Sequence, residues 1–427
     1  MTPRTALALA YLRTRALHRW LSSRDRVARW QTANLERLRR DAIADIAFYR
    51  ELGDVPLSDF PIVGKADVMA RFEAFNRLGL TASELWAMID RGAAPAGYDV
   101  GCSTGTSGNR GLYLISDSER FVWLGTIVAK ALPISLRQRH RVAIVLPRSS
   151  RLYEAANESK ILKLLFVDLN EGLASAAESL AAFKPTVLVG PPKALRWFAE
   201  NGTAISPGLM FSSAEVLDPP DRELIERHFK LKLRQIYMAT EGLFAVSCDH
   251  GTLHLAEDVV HFEFEQVADD ADLVTPIVTD FRRRTQIMAR YRMNDILRLD
   301  RKPCPCGSAL QAVSEIVGRC DDAFELPNLD TSKPLVLLTP DVLRNAVLAA
   351  DRSIDDFRIR QVERNRIDIV LPVHVSRAAG EAARARVLQA CMRAKAAPEL
   401  TVDYAALPPR TESKLRRVEN CWKSRAP

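Results

Sequence analysis

The 427-residue chain contains no uninterrupted apolar run near the roughly 18 residues of a membrane span, because Arg, Lys, Asp or Glu breaks every one. The short apolar stretch at 6–12 is cut by Arg13 and lacks a cleavage-site pattern, which argues against a secretory signal. Seven cysteines, an odd number in so long a chain, do not form a disulfide scaffold, so a reducing, cytoplasmic setting is expected. There is no internal repeat and no low-complexity tract. With 47% hydrophobic and 26% charged residues, disordered and collagen-like classes are excluded. Net charge is also missing from most of the chain. Residues 1–50 hold eleven arginines against Asp25, Glu36, Asp41 and Asp45, which accounts for the whole formal charge of +7.

That basic front end reads as helix. Trp20, Trp30, Leu35 and Leu38 give it an apolar stripe suited to packing on a larger body. Its arginines leave an acidic carrier protein, or peripheral contact with anionic lipid, as partners for residues 1–50. Aromatic and basic residues do not interleave beyond residue 50, so no nucleic acid is expected.

The length predicts two domains, or one large and one small. A helical pattern covers 65–90. From residue 101 onward, short apolar runs at 141–146, 161–167, 186–189, 208–212 and 233–237 alternate with amphipathic stretches at 117–131, 172–183, 192–201 and 221–229. Apolar strands separated by helices predict an α/β domain with a largely parallel, helix-covered sheet. Residues 259–267, 277–280 and 290–299 read as antiparallel β structure, and 322–427 as a smaller α+β unit. In that unit, strands are expected at 357–362, 366–371 and 400–405, with a helix at 377–395.

Residues 101–111 carry the clearest chemistry, since eight of the eleven are Gly, Ser or Thr. Glycine lets backbone approach a ligand closely, and hydroxyls donate to anionic oxygens, so this loop is suited to phosphates. It is neither a Walker loop nor the dinucleotide fingerprint, because no Lys-Ser/Thr follows the glycines and the glycine spacing differs.

Six motifs in order resemble the adenylate-forming superfamily of acyl- and aryl-CoA ligases, adenylation domains and luciferases. They are Ser103-Thr104-Gly105-Thr106-Ser107-Gly108, Ser213-Ala214-Glu215, Tyr237-Met238-Ala239-Thr240-Glu241, Tyr291-Arg292-Met293-Asn294-Asp295, Gly318-Arg319-Cys320-Asp321-Asp322 and Pro409-Arg410-Thr411-Glu412-Ser413-Lys414. With Cys304-Pro305-Cys306-Gly307-Ser308 and the chain length, the likeness is to the phenylacetate–CoA ligase branch and its CoF synthetase-like subgroup.

The resemblance implies a large AMP-binding domain over 1–319 and a small mobile domain over 320–427, with the hinge at Asp321. It implies ATP and Mg²⁺ as cofactors, a small aromatic carboxylic acid as substrate, and the thiol of CoA or of a carrier-protein phosphopantetheine arm as acceptor. Ser103, Thr104, Gly105, Thr106, Ser107 and Gly108 would hold the β- and γ-phosphates. Ala214 and Glu215 would line the adenine pocket, and Tyr237 would stack on the base. Thr240 would bind the α-phosphate, Glu241 would ligate Mg²⁺, and Asp295 would accept the ribose hydroxyls beside Arg319. Lys414 would bridge the carboxylate and the α-phosphate as charge develops. The family glycine is Met238 in the tyrosine motif and Asn294 before Asp295, the glycine before Lys414 is missing, and Gly111 stands where relatives often carry a lysine.

Two further readings follow from the same residues. One moves AMP to a hydroxyl of a deazaflavin-type cofactor. The other is a degenerate ATP-binding scaffold, motivated by Met238 and the missing glycine. Separately, Cys248 and His254 upstream of Cys304 and Cys306 supply three thiolates and an imidazole, a set that suits tetrahedral Zn²⁺; His250 competes as a ligand.

Overall fold

The computed structural model describes residues 3–41, 43–103, 110–132, 139–146, 162–330, 333–407 and 416–422. The chain divides into two compact units that interleave along the sequence. The first comprises Met1–Glu265, Pro276–Met293 and Leu299–Ser314; the second comprises Gln266–Thr275, Asn294–Arg298 and Glu315–Pro427. No helix among the described residues is long and apolar enough to cross a membrane.

The first unit is a mixed α/β body. Tyr98–Cys102 (β1) and Leu112–Ser116 (β2) form an antiparallel hairpin, and the Gly/Ser/Thr loop is its connection. Next come β3 (His140–Leu146), β4 (Leu162–Asp168), β5 (Val187–Gly190), β6 (Leu209–Ser213) and β7 (Leu233–Ala239). These pair in parallel in the order β4-β3-β5-β6-β7, as the continuous apolar runs require of strands covered on both faces. Gly242–Ser247 (β8) and Leu253–Leu255 (β9) then continue the sheet antiparallel. The helices Leu173–Phe183 and Pro192–Glu200 cover one face with Leu180, Leu195 and Phe198 against Val145, Leu188 and Met210. The helix Asp117–Ala131 covers the other.

The front end packs on this body. Helix Pro3–Trp20 lies along Asp117–Ala131, and Gly125 makes the approach feasible: a Cβ there would sit 2.4 Å from the carbonyl oxygen of Leu7. Helix Arg24–Asp41 is anchored by Arg24, whose guanidinium makes a two-pronged contact of 2.6 and 2.8 Å with Glu257, and by Trp30 Nε1 donating to the Asp258 carbonyl at 3.0 Å. Leu9, Leu12 and Trp20 remain exposed on the outer side.

The helix expected over 65–90 is instead three short ones, Lys65–Ala70, Phe72–Phe75 and Ala82–Asp90. Arg71 leaves helical geometry, with φ −135° and ψ 45°, and the side chain of Asn76 closes the following turn. Its amide donates to the carbonyls of Phe72 and Leu80, and its oxygen accepts from the N–H groups of Leu78 and Leu80. A short polar side chain that satisfies four backbone groups outcompetes helix continuation. The strand expected over 290–299 is likewise broken, into Tyr291–Arg292 and Asp295–Asp300.

The second unit is the small α+β body. Arg358–Glu363 and Arg366–Pro372 form a hairpin, and Glu399–Ala405 joins parallel to the latter, while Val418–Asn420 returns parallel to the former. Helix Arg377–Arg393 buries Ala379, Ala383, Val387 and Cys391 in the core. Gln361, fully buried, accepts from Glu325 N–H at 3.0 Å and donates to Glu325 O at 2.6 Å. This exchange ties the sheet to strand Phe324–Pro327.

Candidate functional site

The loop expected to hold phosphates is pinned at its base. Ser103 N–H donates to Gly111 O at 2.8 Å, and Gly111 N–H donates back to Ser103 Oγ at 2.8 Å. Thr104, Gly105, Thr106, Ser107 and Gly108 lie outside the described residues, as does Lys414. The pinned base opens onto a cleft lined by Gly111, Lys65, Thr240, Glu241, Gln286 and Tyr291 among others. Residues from four separate stretches of sequence therefore meet in one depression.

Thr240 and Glu241 follow β7, at the carboxyl ends of the parallel strands, where open α/β sheets place their ligands. Both oxygens of Glu241 are oriented: Thr240 Oγ1 donates to Oε2 at 2.9 Å, and Tyr291 OH donates to Oε1 at 3.1 Å. An oriented carboxylate is a hard oxygen ligand suited to Mg²⁺. Tyr237 is buried in β7 with its ring 5.4 Å from that of Phe244. Ala214, just past β6, has a left-handed φ of 71°, an uncommon state for a residue with a Cβ and one that clusters at functional turns. Glu215 forms a buried ion pair with Lys193 at 3.1 Å.

Asp295, Arg319 and Asp321 belong to the second unit. There Cys320 N–H donates to Asn294 O at 3.0 Å, which brings Asp295 and Arg319 to neighbouring positions. Asn294 holds the expected hinge residue directly: its Nδ2 donates to Asp321 Oδ2 at 2.6 Å, and Asp321 N–H donates to its Oδ1 at 3.3 Å. The Asn294 side chain thus has two partners of its own.

Two residues that the sequence did not single out stand at the site, one lining the cleft and one behind it. Lys65 arrives because Val63 pairs with the Tyr291 segment, donating to Arg290 O at 3.1 Å and accepting from Arg292 N–H at 2.8 Å. Its stem runs past Gly111, where a Cβ would lie 2.9 Å from Lys65 Cε. Gly111 therefore makes room for a lysine 46 residues away in sequence. The second is Arg283, buried under the turn, whose Nη2 donates to Thr240 O at 2.9 Å. Three consecutive arginines, Arg282 to Arg284, within a largely buried segment were the available signal, because arginine is buried only when it has work to do there. That segment is fixed by Glu119, which accepts from Ser116 N–H and Oγ, from Thr285 N–H and Oγ1, and from Arg284 N–H. Burial alone would raise the Glu119 carboxyl, but these five donors hold it below its ordinary value.

A second cluster is separate from the cleft. Cys248 lies in the turn between β8 and β9, His254 is in β9, and Cys304 and Cys306 lie in the turn before strand Ala312–Arg319. Backbone pairing of His254 with Ala312 brings the two turns together. The four donor atoms all lie within 4.8 Å of one another. The Sγ atoms of Cys248 and Cys304 are 3.7 Å apart, and Cys306 Sγ is 3.3 Å from His254 Nε2. Zn–S bonds of about 2.3 Å in a tetrahedron give an edge of about 3.8 Å, so the sulfurs already stand at ligand spacing. His254 Nδ1 lies 3.1 Å from Leu310 O, the outer hydrogen bond that orients a metal-binding imidazole and leaves Nε2 for the ion. His250 is not one of the four.

No protein-family model and no curated protein matches the chain. Solved structures do. A 2-hydroxyisobutyryl-CoA ligase in its postadenylation state superposes with a TM-score of 0.71 at 18% identity, over 93% of this chain and 90% of that one. The amide bond synthetase McbA from Marinactinospora thermotolerans gives a TM-score of 0.55 at 15% identity, over 75% and 68%. A structure from a study of fatty acyl-adenylate ligases of E. coli and L. pneumophila gives 0.51 at 11%, over 74% and 67%. The chain has the fold of adenylate-forming ligases.

Proposed function

We propose that this protein activates a carboxylic acid with ATP and passes the acyl group to a thiol. The supporting observation is the single cleft in which the pinned base of the Gly/Ser/Thr loop, Lys65, Thr240 and the doubly oriented Glu241 converge. The substrate carboxylate oxygen attacks the α-phosphorus, the acyl–O–P bond forms, the α–β bridging bond breaks, and pyrophosphate leaves. A thiol sulfur then attacks the acyl carbonyl, AMP leaves with the bonding electrons, and the thiol proton passes to solvent.

The loop N–H groups and hydroxyls and the Lys65 ammonium hold the β- and γ-phosphates, and Thr240 hydrogen-bonds the α-phosphate. Arg283 keeps the Thr240–Glu241 turn in place through the Thr240 carbonyl. Glu241 would hold Mg²⁺, which neutralises phosphate charge when bound. Ala214 and Glu215 line the base site, with Lys193 balancing the buried carboxylate. Asp295 and Arg319 take the ribose, and Lys414 supplies the charge that bridges carboxylate and phosphate. Movement about Asp321 then withdraws Lys414 and admits the thiol.

The acceptor is CoA or a carrier-protein arm. The exposed Leu9, Leu12 and Trp20 beside the arginines of residues 1–50 favour an acidic carrier protein. Cys248, His254, Cys304 and Cys306 would hold a structural Zn²⁺ that clamps two turns of the sheet.

The test is acid-dependent exchange of pyrophosphate into ATP across aliphatic and aromatic acids, with CoA and carrier protein then offered as acceptors. Lys414→Ala should abolish exchange while leaving ATP binding within about threefold, and normal turnover in that variant ends the assignment. AMP transfer to a hydroxyl with no carboxylic acid present would replace it with the nucleotidyl-transfer reading.

A further inference from the structure

An apolar pocket lies between helix Asp117–Ala131 and the sheet. One wall is a helical stripe of Leu124, Ile127, Val128 and Ala131, at the i, i+3, i+4, i+7 spacing of a single face. The other wall is one face of the parallel strands, because its residues recur at every second position: Val142, Ile144 and Leu146 on β3, then Val187 and Val189 on β5. Register aligns Ile144 with Val189 and Val189 with Phe211 in a continuous row. Among the described residues, Ser213 supplies the one hydroxyl of the lining and Phe211 the one aromatic ring.

The cavity points at the cleft. Ser213 immediately precedes the left-handed Ala214, and Met238 stands two residues before Thr240. Both lie at the carboxyl ends of their strands, whereas Val142 and Val187 lie near the amino ends of theirs. An occupant therefore has its polar end at Ser213 and Met238 and its apolar end at Val142. From Val142 to Leu146 the strand rises ~13 Å at ~3.3 Å per residue. An extended alkyl chain advancing ~1.3 Å per carbon, from bonds of about 1.5 Å, fills that depth with about eight to ten carbons.

We infer that this cavity receives the alkyl chain of a medium-length, unbranched aliphatic carboxylic acid, in place of the aromatic acid implied by the sequence resemblance. The inference rests on the acid-activating reading above. Among the described residues, the apolar walls with a single hydroxyl offer nothing to a polar or charged substituent. The unbranched, polarisable Met238 at the mouth adapts to a flexible chain.

The experiment has two arms. In the first, straight-chain acids from acetate to tetradecanoate and phenylacetate compete with the fluorescent fatty acid cis-parinaric acid for the full-length protein, without ATP. In the second, the same acids drive pyrophosphate exchange. Affinity is expected to rise about fourfold per methylene, to level off near decanoate, and to exceed that of phenylacetate by at least tenfold. Val142→Trp, which fills the deep end, should move the best acid to a chain at least two carbons shorter. Should that variant fail to fold, by its melting curve, the chain-length profile of the unaltered protein decides alone. Exchange driven by phenylacetate, with no displacement by decanoate, overturns the inference and leaves acid activation standing. Displacement by decanoate without exchange by any acid does the reverse, and failure of both arms removes both.

Discussion

Removing the proposed zinc ligands offers a test whose size follows from chain geometry. Cys248 and Cys304 are 56 residues apart, so an ion that joins them closes a loop of that length. By the chain-entropy relation for cross-links, such a closure restricts the unfolded chain by about 4 kcal/mol at 25 °C. This is an upper bound, because residual structure in the unfolded chain reduces the gain. For a unit of this size, about 2 °C of melting temperature accompanies each kcal/mol, so losing the ion should lower melting by up to about 8 °C. Burial opposes the thiolate at both nearby cysteines. Hydrogen bonds from Thr252, the Cys306 N–H and His254 nevertheless draw Cys304 down to about 6, whereas burial and the neighbouring sulfurs push Cys306 up to about 12. The protein purified without chelator should carry about one zinc per chain by elemental analysis. Cobalt exchanged into it should give the visible absorption of a tetrahedral thiolate site. Cys304→Ser with Cys306→Ser should lose the metal and melt earlier, and the unaltered protein treated with chelator should match that curve. An untreated protein with no zinc, whose melting ignores both chelator and the double substitution, refutes the reasoning.

Lys65→Met should raise the KM for ATP by about 10- to 100-fold, the cost of one charge-assisted hydrogen bond to phosphate, with melting within about 1 °C; an unchanged KM removes Lys65 from the site. Glu119→Gln places an amide donor among five donors and should cost about 3 kcal/mol in urea unfolding. Because the folded Glu119 carboxyl lies below its ordinary 4.5, its stabilising contribution is complete above that value and is lost as pH falls through the lower folded value. The unaltered protein should therefore lose this increment in acid and the variant should not, while parallel pH profiles would contradict the assignment. Asn294→Gly frees Asp321 from two hydrogen bonds and should change the ratio of adenylation to thioester formation at least threefold in rapid-quench assays. Identical half-reactions in that variant would deny Asn294 a part in the hinge.

Local pattern made much of the fold readable. Continuous apolar runs gave the parallel strands β3 to β7, and helical spacing gave Asp117–Ala131 to the residue, because burial on both faces and capping are written in neighbouring residues. The gathering of Cys248, His254, Cys304 and Cys306 was legible for a similar reason, because three thiols and an imidazole at short spacings form a set suited to one metal ion. What local pattern cannot carry is competition. The run over 65–90 has helical periodicity, yet Asn76 satisfies four backbone groups and breaks it.

The sequence by itself determined the α/β class, the order of the loop, Thr240, Glu241, Asp295 and Lys414 along the chain, and the confinement of the net positive charge to residues 1–50. Only tertiary structure decided that Lys65 fills the space left by Gly111, that Arg283 supports Thr240, and that aliphatic side chains from several strands and one helix surround a single cavity. Those are contacts between segments tens of residues apart, fixed by sheet register and helix packing, and no periodicity along the chain encodes them.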